Sequence, residues 1–165
     1  MADKIDQIRA QWREAAPELD TAPVEVLGRV YRIATLAGRR IGELFERHGL
    51  DRGEFDVIGT LMRSGPPHEL TPTDLYRELM ISSGGLTHRL KRLEAAGLVE
   101  RARSPDDGRS FTVRLTGRGR DLVLAAYAED LALEARLLEG LTATERQELA
   151  RLLRRLHEVV AANAG

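Results

Sequence analysis

Between Thr71 and Leu115 the spacing of apolar residues changes from a helical repeat to strict alternation, and that change narrows the folds open to this chain. Leu70-Thr71-Pro72-Thr73-Asp74 announces a helix. Thr71 suits the N-cap, Pro72 the first helical position and Asp74 the third, where a carboxylate reaches back. This helix is short and is expected to end near Met80. After Ile81-Ser82-Ser83 a second helix runs to Gly97, with Leu98 behind it as the apolar contact of a C-cap. Leu98-Val99-Glu100-Arg101 then reads as a strand, Pro105-Asp106-Asp107-Gly108 as a hairpin turn, and Arg109 to Leu115 as a strand with Phe111, Val113 and Leu115 on one face. Short helix, turn, second helix and two-stranded hairpin make up the order of a winged helix-turn-helix.

The flanking sequence is helical. Ile5, Ile8 and Trp12 fall on one helical face, which Pro17 and the run to Pro23 interrupt. From Val24 to about His48 a longer helix carries a broad apolar sector from Val26 to Phe45, with Gly49 as its C-cap. Asp51 to about Ser64 forms a third, with Phe55, Ile58, Leu61 and Met62 expected in the core and Gly65-Pro66-Pro67 as its stop. Beyond the hairpin, Thr116 caps a helix reaching about Glu139, and Thr142 caps a last one ending near Ala162. The expected class is mainly α with one two-stranded β-hairpin wing, a pattern foreign to α/β enzymes.

Charge is distributed unevenly. Nine arginines and lysines and only four acids lie between Leu86 and Arg120, so this segment of the chain carries +5 and the remainder −6 within a net charge of −1. A basic segment on an acidic body is the electrostatic outline of a DNA-binding face. The chain has no cysteine, hence no disulfide framework, thiolate metal site or thiol redox sensor. The opening MADKIDQIRAQWREAAPEL is charged throughout, so no signal peptide is expected, and the expected location is cytoplasmic. His48, His68, His88 and His157 show no metal spacing with carboxylates. No nucleophile motif is present, and no glycine-rich loop follows a strand, so neither catalysis nor a cofactor is expected.

The second helix of the motif has two sides. With Leu86 at zero and about 100° per residue, Leu90 and Leu93 continue its buried stripe. Gly84, Thr87, His88 and Lys91 fall opposite, at about 100° to 200°. In a winged helix-turn-helix this helix enters the major groove, so these residues, with Ser83 at the helix start and Arg92 at the flank, are the groove-facing candidates. Thr71 opens the same DNA-contacting segment. Gly84-Gly85 in the first turn would let the backbone approach DNA closely, or would meet a packing need for small residues. Arg109, just past the Asp107-Gly108 turn, is placed to enter a narrow minor groove, or to pair with Asp107 and stiffen the hairpin. The alternative function is a winged-helix module for protein contacts, which would more naturally carry aromatics or acids at positions 84, 87, 88 and 91.

The stretch SSGGLTHRLKRLEAAGLVERARSPDDGRSFTVRLTGRGRDL resembles the heart of the multiple-antibiotic-resistance regulator (MarR) family. The residues that carry the resemblance are Leu93-Glu94, Gly97-Leu98-Val99, Arg101, Asp107, Arg109, Leu115-Thr116 and Gly119. It covers about residues 24–162. It implies a homodimeric transcription regulator that binds double-stranded DNA at a pseudopalindromic operator. In that reading the chain is a single domain: dimerisation helices over 1–48, the winged helix-turn-helix over 51–115 and further dimerisation helices over 116–165. Relatives commonly carry asparagine where this chain has His88, which bears on base preference at one position.

Within that family the chain resembles the urate-responsive subgroup, through Trp12, the run Glu54-Phe55-Asp56-Val57-Ile58, Thr87-His88-Arg89 and Arg101. The resemblance implies a repressor released from its operator by urate or another aromatic or polycarboxylate anion, held by Trp12, Asp56, Arg89 and Arg101. The residues are compatible with this. Arg89 lies about 60° from the Leu86 stripe, on the side away from Thr87. It therefore faces the protein and needs an anion, which Asp56 or a planar ligand would supply. Trp12 offers a flat apolar surface, for a ligand ring or for ordinary packing.

Overall fold

The computed structural model describes residues 2–79, 85–103 and 111–163. Among these the chain forms α1 (Lys4–Ala15), α2 (Ala22–Arg47), α3 (Arg52–Arg63), β1 (Glu69–Leu70), α4 (Pro72–Glu78), α5 (Leu86–Ala95), β2 (Val99–Arg103), β3 (Phe111–Leu115), α6 (Gly117–Leu137) and α7 (Ala143–Ala162). The expected mainly helical class is present and β2 pairs with β3, while the turn expected at Pro105-Asp106-Asp107-Gly108 lies outside the described residues. Residues 1–127 form one compact unit, and residues 128–165 a second made of the end of α6 and α7.

The core of the first unit lies where α2, α3, α4, α5 and the sheet converge, on Leu44, Phe45, Val57, Ile58, Leu61, Leu75, Leu93 and Val113. Phe45 and Phe55 stack at 4.0 Å between ring centres, which fastens α2 to α3. Two expectations, on Pro23 and on Phe55 and Met62, are corrected here. Pro23 opens α2 rather than interrupting the chain before it, because a proline in the first turn forfeits only an N–H that has no partner there. The apolar sector of α2 is buried at Ile41, Leu44 and Phe45 only, and Val26, Leu27, Tyr31 and Ile33 stay exposed. Phe55 and Met62 are only partly covered, because they line a cavity described below.

The sheet has three strands in the order β1-β3-β2, all antiparallel. The two-residue β1 carries no periodicity to read. It is held by the pairs Glu69–Arg114 and Leu70–Val113, and by the Leu115 N–H donating to the His68 carbonyl at 3.0 Å. Val113 and Leu115 face the core as expected, but Phe111 is exposed and Thr112 is buried, its hydroxyl donating to the Glu69 carboxylate.

The wing returns to the helical body at one tight junction. Thr116 caps α6 by accepting the Gly119 N–H at 3.0 Å, donates its own hydroxyl to the Gly97 carbonyl at 2.8 Å and gives its N–H to Leu98 at 3.1 Å. Gly119 passes so close to the Leu98 carbonyl that a Cβ there would lie 2.1 Å from its oxygen.

Candidate nucleic-acid interface

Helix α4 starts at Thr71, whose hydroxyl accepts the Asp74 N–H at 3.1 Å and donates to the Asp74 carboxylate at 2.7 Å. The hydroxyl of this DNA-contact candidate is thus engaged in capping. The helix ends at Glu78, two residues earlier than expected, where Leu79 turns to extended backbone. Arg63 ties this end to α3 by donating to the Glu78 carbonyl at 2.6 Å and to Thr60 Oγ1 at 3.0 Å.

Helix α5 begins at Leu86. Gly85 is its N-cap, with φ at +103°, and not part of its first turn as the sequence reading had it. That backbone region strains any residue with a Cβ, so glycine serves here to change the chain's direction into the helix. Ser83, Gly84 and Arg109, three of the DNA-contact candidates, lie outside the described residues.

Leu90 and Leu93 anchor α5 in the core, and Thr87, His88 and Lys91 are exposed. The other flank is turned to α3. Arg92 Nε stands 2.9 Å from Glu54 Oε1 and its Nη1 is 3.8 Å from Asp51 Oδ2. Arg89 Nε is 4.0 Å from Asp51 Oδ1. The Arg89 guanidinium lies over the backbone of Gly53, where a Cβ would come within 2.2 Å of Nε. Arg92, a groove candidate in the sequence, therefore brackets α5 to the start of α3. Asp51 and Glu54 were not singled out for this role, although Asp-x-x-Glu before an apolar run is a legible capping signal. The Asp51 carboxylate accepts the Glu54 N–H, and the Glu54 carboxylate accepts the Asp51 N–H, both at 2.8 Å.

The ligand candidates are spread over four elements. Trp12 is on α1 and 51% exposed. Arg101, on β2, pairs with Glu94 of α5 at 3.1 Å and lies 4.5 Å above the centre of the Phe111 ring. It ties the far end of α5 to the base of the wing. Asp56 lies in the second turn of α3, one residue beyond the first turn, on the wall of a cavity of about 490 Å³. Phe55, Met62, Arg63, Val123 and Tyr127 share that wall. Burial pushes the Asp56 carboxyl above the usual carboxylate range, partly opposed by the charges of Arg52, Arg89 and Arg63. Asp56 and Arg89 are thus in electrostatic range of each other, and among the described residues Trp12, Arg89 and Arg101 do not line this cavity.

Comparison with known proteins agrees with this geometry. Residues 48–110, which span α3 to the hairpin, match a family model described as the MarR family. The HTH-type transcriptional regulator PecS of Dickeya dadantii is 33% identical over 160 residues, covering 97% of this chain and 96% of PecS. The HTH-type transcriptional repressor Rv2887 of Mycobacterium tuberculosis is 33% identical over 137 residues, 83% of this chain and 95% of its own. Among solved structures, a mutant of Escherichia coli MarR complexed with operator DNA superposes with a TM-score of 0.69 at 26% identity, covering 88% of this chain and 96% of that one.

Proposed function

Because the chain belongs to the MarR family of transcriptional regulators, and so to regulators and not enzymes, we propose that it acts as a homodimeric repressor that reads a pseudopalindromic operator and is released by a small ligand. The observation that carries the DNA reading is the division of α5, with Thr87, His88 and Lys91 exposed on one side and the other side bracketed to α3. A helix anchored by two leucines and presenting donors outward is suited to a major groove. The relative crystallised on operator DNA supports this reading. Lys91→Ala is expected to weaken operator binding by about 1–3 kcal/mol, the usual worth of one good base or phosphate contact. Fluorescence anisotropy on a cognate duplex measures it, and unchanged affinity rejects the assignment of this face.

The effector reading rests on the Asp56 cavity. Its aromatic and aliphatic walls suit a planar ring. Burial disfavours the charged form of the Asp56 carboxyl, and the charges of Arg52, Arg89 and Arg63 offset part of its repulsion of an anion. A ligand that shifts Asp56 relative to Arg89 moves α5 and with it the spacing of two half-sites. It does so only to the extent that it binds the two states unequally. Urate and related aromatic or polycarboxylate anions are expected to raise the melting temperature and release the operator in titrations. Failure of urate alone removes the subgroup assignment, and failure of all of them removes the effector.

A further inference from the structure

Resting on the reading of α5 as the recognition helix, we infer that the capping box of α3, Asp51 and Glu54 with Gly53 between them, is the positioning device that fixes the rotation of α5 in the groove. It also withholds Arg92 from unspecific contact with DNA.

The carboxylate of Glu54 is 3% exposed, yet it faces a guanidinium on another helix. One oxygen closes the capping box on the Asp51 N–H, and the other stands 2.9 Å from Arg92 Nε. Both oxygens are therefore committed, and the helix cap and the interhelix ion pair share one rigid group. Asp51 has the same double duty at longer range, capping Glu54 and lying 3.8 Å and 4.0 Å from Arg92 and Arg89. Gly53 supplies the third contact by having no side chain, so that the Arg89 guanidinium rests on bare backbone.

These contacts act on one flank of α5. Arg89 and Arg92 sit at about 300° and 240° on the helix, whereas Thr87 and Lys91 sit at about 100° and 140°. A helix held by leucines alone can roll on its apolar stripe. Two arginines seated one turn apart against a neighbouring helix end resist that roll, and so aim Thr87 and Lys91. The seat has a second effect. Arg92 is half exposed and, if released, becomes a mobile cation beside the groove, able to neutralise a phosphate of any sequence.

Glu54→Gln tests both effects, since the amide oxygen still accepts the Asp51 N–H but the charge that holds Arg92 is gone. The probes are a duplex enriched by the wild-type protein from a randomised library and a random duplex of equal length. The expected result is a ratio of selected to random affinity lowered about tenfold, with the salt slope on random DNA steeper by about 1. Gly53→Ala, which displaces Arg89 without changing charge, is expected to lower the ratio without the change in slope. A purely structural cap would lower the melting temperature and both affinities together, leaving ratio and slope as they were. Should Glu54→Gln not fold, Arg92→Gln removes the other half of the pair from its exposed side and replaces it in the ratio test. A ratio changed less than threefold in either variant overturns the inference. Lys91→Ala, run in parallel, separates the two levels. If it lowers selected binding while the bracket variants do not, the positioning role fails and the DNA reading stands. If the wild-type protein enriches no sequence, both fail.

Discussion

Replacing Leu152 and Leu153 by aspartate is expected to make the protein monomeric and to lower its affinity for operator DNA by roughly three orders of magnitude, to the level of random DNA. Helix α7 is capped by a full box, in which Thr142 accepts the Glu145 N–H at 3.2 Å and Glu145 accepts the Thr142 N–H at 2.7 Å. Yet none of its residues is buried within its own chain. Leu149, Leu152, Leu153, Leu156 and Val160 follow the helical repeat along one face, and Leu152 and Leu153 are 47% and 44% exposed. A helix of 20 residues with such a stripe is stable in water chiefly by covering it. Exposed Val26, Leu27, Tyr31 and Ile33 on α2 pose the same requirement, and a second copy of the chain meets it in the proposed dimer. Because Leu152 and Leu153 are about half exposed in their own chain, aspartate there removes association at limited cost to the local fold. Sedimentation equilibrium and anisotropy read the two effects. A variant that stays dimeric would show that α7 lies outside the interface.

The second large effect is expected from Gly119→Val. An added Cβ would meet the Leu98 carbonyl oxygen at 2.1 Å and Leu115 Cδ1 at 2.9 Å. The oxygen belongs to backbone that also accepts the Thr116 N–H, so it has nowhere to retreat. Overpacking of this kind costs about 3 kcal/mol. In a chain of this length that lowers Tm by roughly 6–12 °C at fixed protein concentration. Calorimetry checks it, and a shift below about 2 °C would mean that α6 can lift from the wing base. The same substitution at Gly38 or Gly42, where a Cβ meets nothing within 4 Å, is the matched control for helix propensity.

Much of this protein was legible before any coordinates. Caps and stops are local chemistry, so Thr71, Pro72 and Asp74 placed α4, Thr116 placed α6 and Thr142 placed α7. Hydrophobic period is also local, and it separated the buried side of α5 from Thr87, His88 and Lys91. The part that stayed hidden depends on meetings between distant segments. Strand β1 exists because β3 lends it a ladder, and two residues have no period of their own. Gly85 was legible as glycine, but its place outside the helix follows from a φ of +103°.

The bracket on α5 shows where that boundary falls. Asp51-x-x-Glu54 could be read as a helix start from spacing alone, and Arg89 and Arg92 as residues off the buried stripe. That Glu54 is sunk to 3% exposure and aimed at Arg92, and that Arg89 rests on Gly53, required α3 and α5 to be packed at their actual distance and angle. Side chains 35 or more positions apart meet through the shape of the core, which no single segment encodes. Which residues of α5 stay exposed was thus set by a local repeat, and which flank is held against α3 was set by tertiary contact.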